Sequence, residues 1–354
     1  MKADYLRHIR KEPSYGGIVR KHAIGDFQTY PFGKDDYCML PYRSALIAKS
    51  GSTFVCTCHG HLPYPVCNIM ELNSIEELWE RPVAKILQKS TSAGGSFKFC
   101  NTKKCGGPVT CLETDSNQKY EFILAIDDTC NLQCPSCRTE LRHLTAGAEF
   151  DQREQYAKHF MDMLSKFDHS SLIEIGGDGE PFVSKIYSDI IYNYIPNNKH
   201  KFRIRTNATL LNQRNFLESK VIKQVKSFTI SIDAGSEEVY KKVRYPGNWN
   251  HVINSLDFLK ENNFKFSLNF VVQKNNFRDL LNFVNLCQHY QCIGHITAVE
   301  DWGSWGWGSN SSFEDQAVFL KNHTFFNEFK TILDKVKEHS WNSSLYIKGI
   351  LNNL

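Results

Sequence analysis

The residues best equipped for chemistry in this chain are its cysteines. The 354 residues include 12 of them, and ten fall between Cys38 and Cys137. In a reducing compartment thiols in such number are more often metal ligands or catalytic groups than disulfides. The tightest spacing is Cys130-x3-Cys134-x2-Cys137, in DDTCNLQCPSCRTEL. Three thiolates can hold three irons of a cubane 4Fe-4S cluster, whose usual complement is four cysteines, and so leave the fourth iron open to an outside ligand. An open iron suits chemistry rather than plain electron transfer. A zinc knot or a purely structural cluster is the competing reading, although zinc normally takes a nearby fourth ligand. Cys287 and Cys292 lie far downstream, at the end of a helical pattern just before a strand pattern, where a buried thiol behaves as a small hydrophobe.

The elements that must position these residues follow from the pattern beyond Glu121. Short β-rich runs, FILAI (122–126), LIEIG (172–176), FRIRT (202–206), SFTISI (227–232), FSLNFVV (266–272) and HITAV (295–299), alternate with segments whose apolar residues recur at helical spacing. That alternation predicts an α/β fold with a parallel sheet, open or curled into a barrel. In both architectures functional residues gather at the carboxyl ends of the strands, so each motif should follow a strand. The segment before Glu121 is turn-rich and holds seven cysteines, with one helix start at Asn73-Ser74 leading into IEELWERPVAKILQKS. It reads as a small metal-stapled domain. The expected divisions are an extension over 1–37, a cysteine-rich domain over 38–116, the α/β core over 117–300, and a Trp/Gly loop with a helical segment over 301–354.

CNLQCPSC after a first strand, opening a six-fold strand-helix repeat, resembles the radical S-adenosylmethionine (radical SAM) superfamily. The resemblance implies a partial (β/α)6 TIM-like barrel with Cys130, Cys134 and Cys137 on a 4Fe-4S cluster whose open iron is chelated by SAM. An electron from the reduced cluster then cleaves SAM to methionine and a 5′-deoxyadenosyl radical, which abstracts hydrogen from substrate. GGDGEP (176–181) is similar to the family's Gly-Gly-Glu motif, although Asp178-Gly179 separates Gly177 from Glu180, and implies that Gly176, Gly177 and Glu180 bind the SAM amino group. RTNATLL resembles Thr-Asn-Gly-x-x-Leu and brings in Asn207, with Ala208 in place of the glycine. SIDAGSEEVYKKVRYPG is similar to the family's Ser-x-Asp strand end with a downstream arginine. It implies ribose contacts from Ser231 and Asp233, and Arg244 facing the SAM carboxylate, where a fixed cation with a bidentate fork is apt. VVQKNN resembles a segment lining the adenine side. The family often has an aromatic residue before the third cysteine; here it is Ser136, which moves adenine contact to residues such as Leu132 or Val272.

Cys38, the Gly51-x4-Cys56 pair, the helix with its tryptophan, and FCNTKKCGGPVTC resemble the auxiliary-cluster module called SPASM, or its shorter form, twitch. The resemblance implies one auxiliary 4Fe-4S cluster on Cys38, Cys56, Cys100 and Cys105, with Cys111 as a substitute. The module usually follows the barrel, whereas here it precedes it. Zinc is the alternative, since CTCHGH offers Cys56, Cys58, His59 and His61, with Cys67 close by.

Composition bounds the rest. Hydrophobic residues at 41% and charged residues at 23% exclude a disordered or low-complexity protein. A net charge of +4 without a dense Lys/Arg stripe argues for neither nucleic acid nor membrane as partner. No apolar run is long enough to span a membrane, and charges interrupt the first residues, so a cytoplasmic location is expected. Trp302, Trp305 and Trp307 follow the sixth strand, as a substrate wall or as packing. The leading expectation is a radical SAM enzyme that modifies a peptide or protein and takes electrons from a donor such as flavodoxin or ferredoxin. Oxidation or rearrangement of a small molecule such as a sugar is the alternative. A non-enzymatic zinc or iron-sulfur scaffold is the rival from another class.

Overall fold

The computed structural model describes residues 37–56, 65–97, 99–100, 120–138, 140–211, 216–300, 312–339 and 345–348. They divide between two compact units, each assembled from separate stretches of chain: one from within 1–127, 145–178 and 195–202, the other from within 128–144, 179–194 and 203–354.

In the first unit, β4 (Tyr120–Ala125) lies between β5 (Ser171–Ile175) and β1 (Ser44–Ala48), parallel to both. Every residue of β5 is buried, the polar Ser171 and Glu174 included, as in a parallel sheet covered on both faces. β1 continues antiparallel into β2 (Ser52–Val55) and β3 (Cys67–Asn68). The helix Ala148–Lys166 sets Phe160 against Phe122, with ring centroids 5.4 Å apart, and Trp79 packs on Tyr120 at 5.0 Å. The residues on either side of the expected boundary at 116/117 therefore belong to one core, and residues 101–119 themselves lie outside those described. The single helix expected after Asn73-Ser74 is broken. Arg81 is extended, with ψ 144°, and separates Glu77–Glu80 from Pro82–Thr91, because a proline ring crowds the residue before it out of the helical region.

In the second unit the strands lie in chain order: β6 (His200–Thr206, of which 203–206 belong here), β7 (Val225–Ser231), β8 (Phe266–Val272), β9 (Ile293–Ala298) and β10 (Leu345–Lys348). β7 to β10 are parallel throughout. The helix Leu280–Tyr290 packs Phe283 on Phe270 of β8 at 5.0 Å. Gly294 allows that helix to approach, since a Cβ there would stand 2.9 Å from Cys287 Sγ. Cys287 and Cys292 are both buried, and they belong to the helix's end. Cys292 N–H donates to the Cys287 carbonyl at 3.0 Å and Gln291 N–H to the Gln288 carbonyl at 3.1 Å, with Gln291 left-handed at φ 53°. This is a Schellman cap, in which the two flanking side chains make an apolar contact.

The α/β class with parallel strands is as expected, and each of the six anticipated strands is present to within a few residues. Each of the first five is followed by the motif the sequence places there, and the Trp/Gly loop expected after the sixth lies outside the described residues. β1, β2, β3 and β10 were not anticipated. Among the described residues no helix is long and apolar enough to cross a membrane.

Candidate cluster and cofactor site

The loop that leaves β4 is closed by its own backbone. Cys130 N–H donates to the Arg142 carbonyl at 2.9 Å, forming an antiparallel bridge, and Leu144 N–H donates to Thr129 Oγ1 at 3.1 Å. Inside that stem the chain turns tightly, with the N–H groups of Cys137 and Arg138 both on the Cys134 carbonyl, at 2.9 and 3.2 Å. Gln133 N–H donates to the Tyr245 carbonyl at 2.7 Å. Asn131 bridges Asn207 and Thr209 at 3.0 and 2.9 Å. The three-cysteine loop is thereby held to the ends of β6 and of the segment after β7.

Each thiol in the loop faces a nitrogen donor. Cys130 Sγ is 3.4 Å from Leu132 N–H and 3.9 Å from Asn207 Nδ2; Cys134 Sγ is 3.8 Å from Arg244 Nη1; Cys137 Sγ is 3.7 Å from Arg138 Nη2. Burial pushes the Cys130 thiol up, and pushes Cys134, which is 5% exposed, up to about 11. A buried thiol of this kind ionises when a metal takes the place of its proton. Among the described residues no three His, Cys, Asp or Glu side chains form a group that could hold a metal ion. A single ion draws its ligands to one point, whereas the ligands of a cubane stand farther apart because they bind different irons. An all-sulfur donor set with N–H groups directed at each sulfur fits an iron-sulfur cluster.

Glu180 is 1% exposed, and its carboxylate is occupied by the protein: Oε1 accepts from the Thr206 hydroxyl at 2.6 Å and Phe182 N–H at 3.3 Å, and Oε2 accepts from Asn207 N–H at 2.6 Å. Its own N–H donates to the Thr129 carbonyl at 2.8 Å. Burial nevertheless outweighs these bonds and pushes Glu180 up to about 7. Asn207 in turn orders the following turn, accepting from Thr209 N–H and its hydroxyl at 2.9 and 2.7 Å. Ala208 sits in that turn at φ 60°.

Beyond β7, Ser231 ends the strand half-buried and Asp233 is left-handed, with φ 53°. Asp233 forms a buried ion pair with Arg244 Nη2 at 2.7 Å and accepts Val271 N–H at 2.8 Å. Burial pushes the Asp233 carboxyl up, against the pull of Arg244. Burial also works against the charge on Arg244, but Asp233 and then Cys134 outweigh it and raise its pKa. Arg244 Nε is buried with no hydrogen-bond partner. Two residues outside the expected set hold this arrangement. Asn276 donates Nδ2 to the carbonyls of Asp233 and Val271, both at 2.9 Å, and Asp279 Oδ2 accepts the N–H groups of Gly235 and Ser236 at 2.6 and 2.9 Å. Asn276 closes VVQKNN, so the motif was visible, whereas nothing in the sequence marks Asp279.

Gly176 and Gly177 belong to the first unit. Gly176 takes φ 98°, and a Cβ on Gly177 would stand 2.8 Å from Ala125 Cβ, so the chain after β5 passes against β4 as only glycine permits. A buried ion pair in the same unit was also not anticipated: Arg153 Nη1 meets Asp127 at 3.1 Å, and Nη2 meets Glu149. Cys38, Cys56 and Cys100 lie in this unit as well, the first two buried. Cys58, Cys105 and Cys111, His59 and His61, and Trp302, Trp305 and Trp307 lie outside the described residues.

Residues 126–287 match the family model described as the Radical SAM superfamily. An AdoMet-dependent heme synthase of Oleidesulfovibrio alaskensis is 26% identical over 162 residues, which are 46% of this chain and 40% of that protein. The chain thus matches less than half the length of this curated relative. Among solved structures, Streptococcus suis SuiB bound to precursor peptide SuiA gives a TM-score of 0.43 at 16% identity, over 64% of this chain and 48% of that one. Native anSMEcpe with bound AdoMet gives 0.43 at 16%, over 64% and 63%.

Proposed function

We propose, on the match of residues 126–287 to the Radical SAM superfamily model, that the chain is a radical SAM enzyme that binds SAM at a 4Fe-4S cluster held by Cys130, Cys134 and Cys137. When bound, the cluster and SAM supply a one-electron cleavage that yields methionine and a 5′-deoxyadenosyl radical, which takes a hydrogen atom from substrate. The chain's own part is to hold and orient. The closed loop presents three sulfurs, and Asn207, Arg244 and Arg138 direct N–H groups at them.

The observation that carries the reading is Arg244. It touches Cys134 with one nitrogen and Asp233 with another, while its Nε is buried without a partner. A buried guanidinium donor left over beside a cluster sulfur suits an incoming carboxylate such as that of SAM. Ser231 and Asp233 are assigned to the ribose, and Gly176, Gly177 and Glu180 to the amino group. For Glu180 the assignment asks a carboxylate that already accepts three bonds to accept one more. Cys38, Cys56, Cys100 and Cys105, with Cys111 as substitute, are assigned to an auxiliary cluster.

The substrate we assign is a peptide or protein, on the likeness of the N-terminal cysteine pattern to the SPASM or twitch module. The name of the curated relative, a heme synthase, favours a small molecule as the second reading. Incubation of anaerobically reconstituted protein with dithionite and SAM should release 5′-deoxyadenosine and methionine, and Cys134→Ala should abolish both. If the wild type releases neither, a non-enzymatic scaffold is the better description. About eight irons per chain supports two cubanes, whereas four irons with one zinc removes the auxiliary cluster.

A further inference from the structure

Arg244 Nε and the hydroxyl of Tyr240, both buried, have no hydrogen-bond partner among the described residues. Tyr240 is wholly enclosed, at 0% exposure. Both residues belong to the second unit and to one turn of chain: Tyr240 lies in the helix Glu237–Val243, and Arg244, which caps that helix, donates its N–H to the Tyr240 carbonyl at 2.8 Å. The phenol ring is fixed on two sides. The Trp249 ring meets it edge-on, with centroids 5.5 Å apart, and a Cβ on Gly247 would stand 2.7 Å from the hydroxyl oxygen. The hydroxyl is thus held where it is. Burial raises the Tyr240 pKa above its ordinary value, Arg244 works against that rise, and Cys134 and Asp233 add to it. The group therefore keeps its proton at neutral pH and is available there as a donor.

A buried hydroxyl without a partner costs the fold stability, because its bonds to water are lost and not replaced. Phenylalanine would fill the same space without that cost. A tyrosine hydroxyl left over one turn from a guanidinium nitrogen in the same condition fits a ligand that brings its own acceptors. The other arms of Arg244 are already engaged, Nη1 at Cys134 and Nη2 at Asp233, so Nε is the nitrogen that remains for such a ligand. A carboxylate is all acceptor, and its charge strengthens every hydrogen bond it receives. We propose that the Tyr240 hydroxyl acts with Arg244 Nε to seat the carboxylate of SAM. This rests on the SAM reading given above and adds Tyr240 to it as a binding residue. Arg244 supplies the charge, and Tyr240 supplies a neutral hydrogen bond that helps to orient the carboxylate. A cluster sulfur is the rival acceptor.

The test is SAM binding by equilibrium dialysis to the full chain, wild type and Tyr240→Phe, reconstituted anaerobically and left without reductant so that no SAM is cleaved. Tyr240→Phe should bind SAM about tenfold more weakly, the loss expected of one hydrogen bond to a charged group. Decarboxylated SAM should bind the two proteins equally. If the wild type does not retain it, 5′-methylthioadenosine, which lacks the whole amino-acid end, takes its place. Thermal unfolding of the reconstituted proteins without SAM should give Tyr240→Phe a midpoint no lower than that of the wild type, since the hydroxyl has nothing to lose there. Equal affinity of the two proteins for SAM overturns the proposal, as does an equal loss for SAM and for the analogue without a carboxylate. A lower midpoint without SAM, or loss of iron from Tyr240→Phe, overturns it in favour of a bond to a cluster sulfur. A wild-type protein that takes up iron but no SAM overturns the SAM reading itself, which separates the two failures.

Discussion

Ala208 occupies a backbone region that costs a residue with a Cβ about 1–2 kcal/mol. Its neighbours over-determine the turn: Ala208 N–H donates to Thr206 Oγ1 at 2.9 Å, and its carbonyl accepts from Ser255 at 2.7 Å. Ala208→Gly should therefore stabilise the protein by about 0.5–1 kcal/mol, the strain relieved less the added freedom of glycine when unfolded. Urea unfolding would show this as a higher midpoint at unchanged slope, and an unchanged midpoint would mean the turn is unstrained. The substitution of alanine for glycine was visible in RTNATLL, because the motif's spacing survives a single replacement. The three cysteines were legible for a similar reason: a loop this short puts its ligands close together whatever the surrounding fold. Arg138, Asn276 and Asp279 were not singled out, because their importance comes from partners, the Asp128, Asp233 and Val271 carbonyls and the Gly235 N–H, that only folding brings to them.

The segment between β7 and the helix Glu237–Val243 shows how elements depend on one another. Gly235 runs against the start of the helix Leu280–Tyr290, and a Cβ at that position would lie 2.0 Å from Phe283 N. Backbone cannot give way as a flexible side chain can. Gly235→Ala should destabilise the protein by about 3 kcal/mol or more, seen in chemical denaturation, because the loop carrying Asp233 or the helix must shift. A loss within about 0.5 kcal/mol, the range of an ordinary surface substitution, would show that this contact is loose. The strands were readable from apolar runs, yet β1 was not. SALIA is as β-rich as its neighbours are turn-rich, but a parallel partner so distant in sequence leaves no local mark. The helix break at Arg81 departs from the single helix expected there, although the proline that causes it, Pro82, is in the sequence.

At the scale of the whole molecule, Glu180 links stability to pH. Its ordinary value is 4.5, and in the fold it rises to about 7, so the folded state holds the proton more tightly. The resulting stabilisation is fully present below pH 4.5 and is lost as pH rises through about 7, a change of about 3 kcal/mol. Glu180→Gln does not titrate, so its stability deficit relative to the wild type should shrink between about pH 5 and pH 8 in urea unfolding of the two proteins. A constant deficit would mean that Glu180 ionises at its ordinary value. The two units are interleaved along the chain, and neither is a continuous piece that could be excised. The pairing of β1 with β4 carries this into the protein's biogenesis. β1 leaves the ribosome roughly 80 residues ahead of its partner, on the order of ten seconds at about 5–20 residues per second. Until β4 arrives one edge of β1 stays open, while Cys38, Cys56 and Cys67, buried in the finished protein, have already emerged. The nascent chain, more than the mature one, exposes these thiols to oxygen and to metal delivery, so the conditions that matter most for them are those of its synthesis.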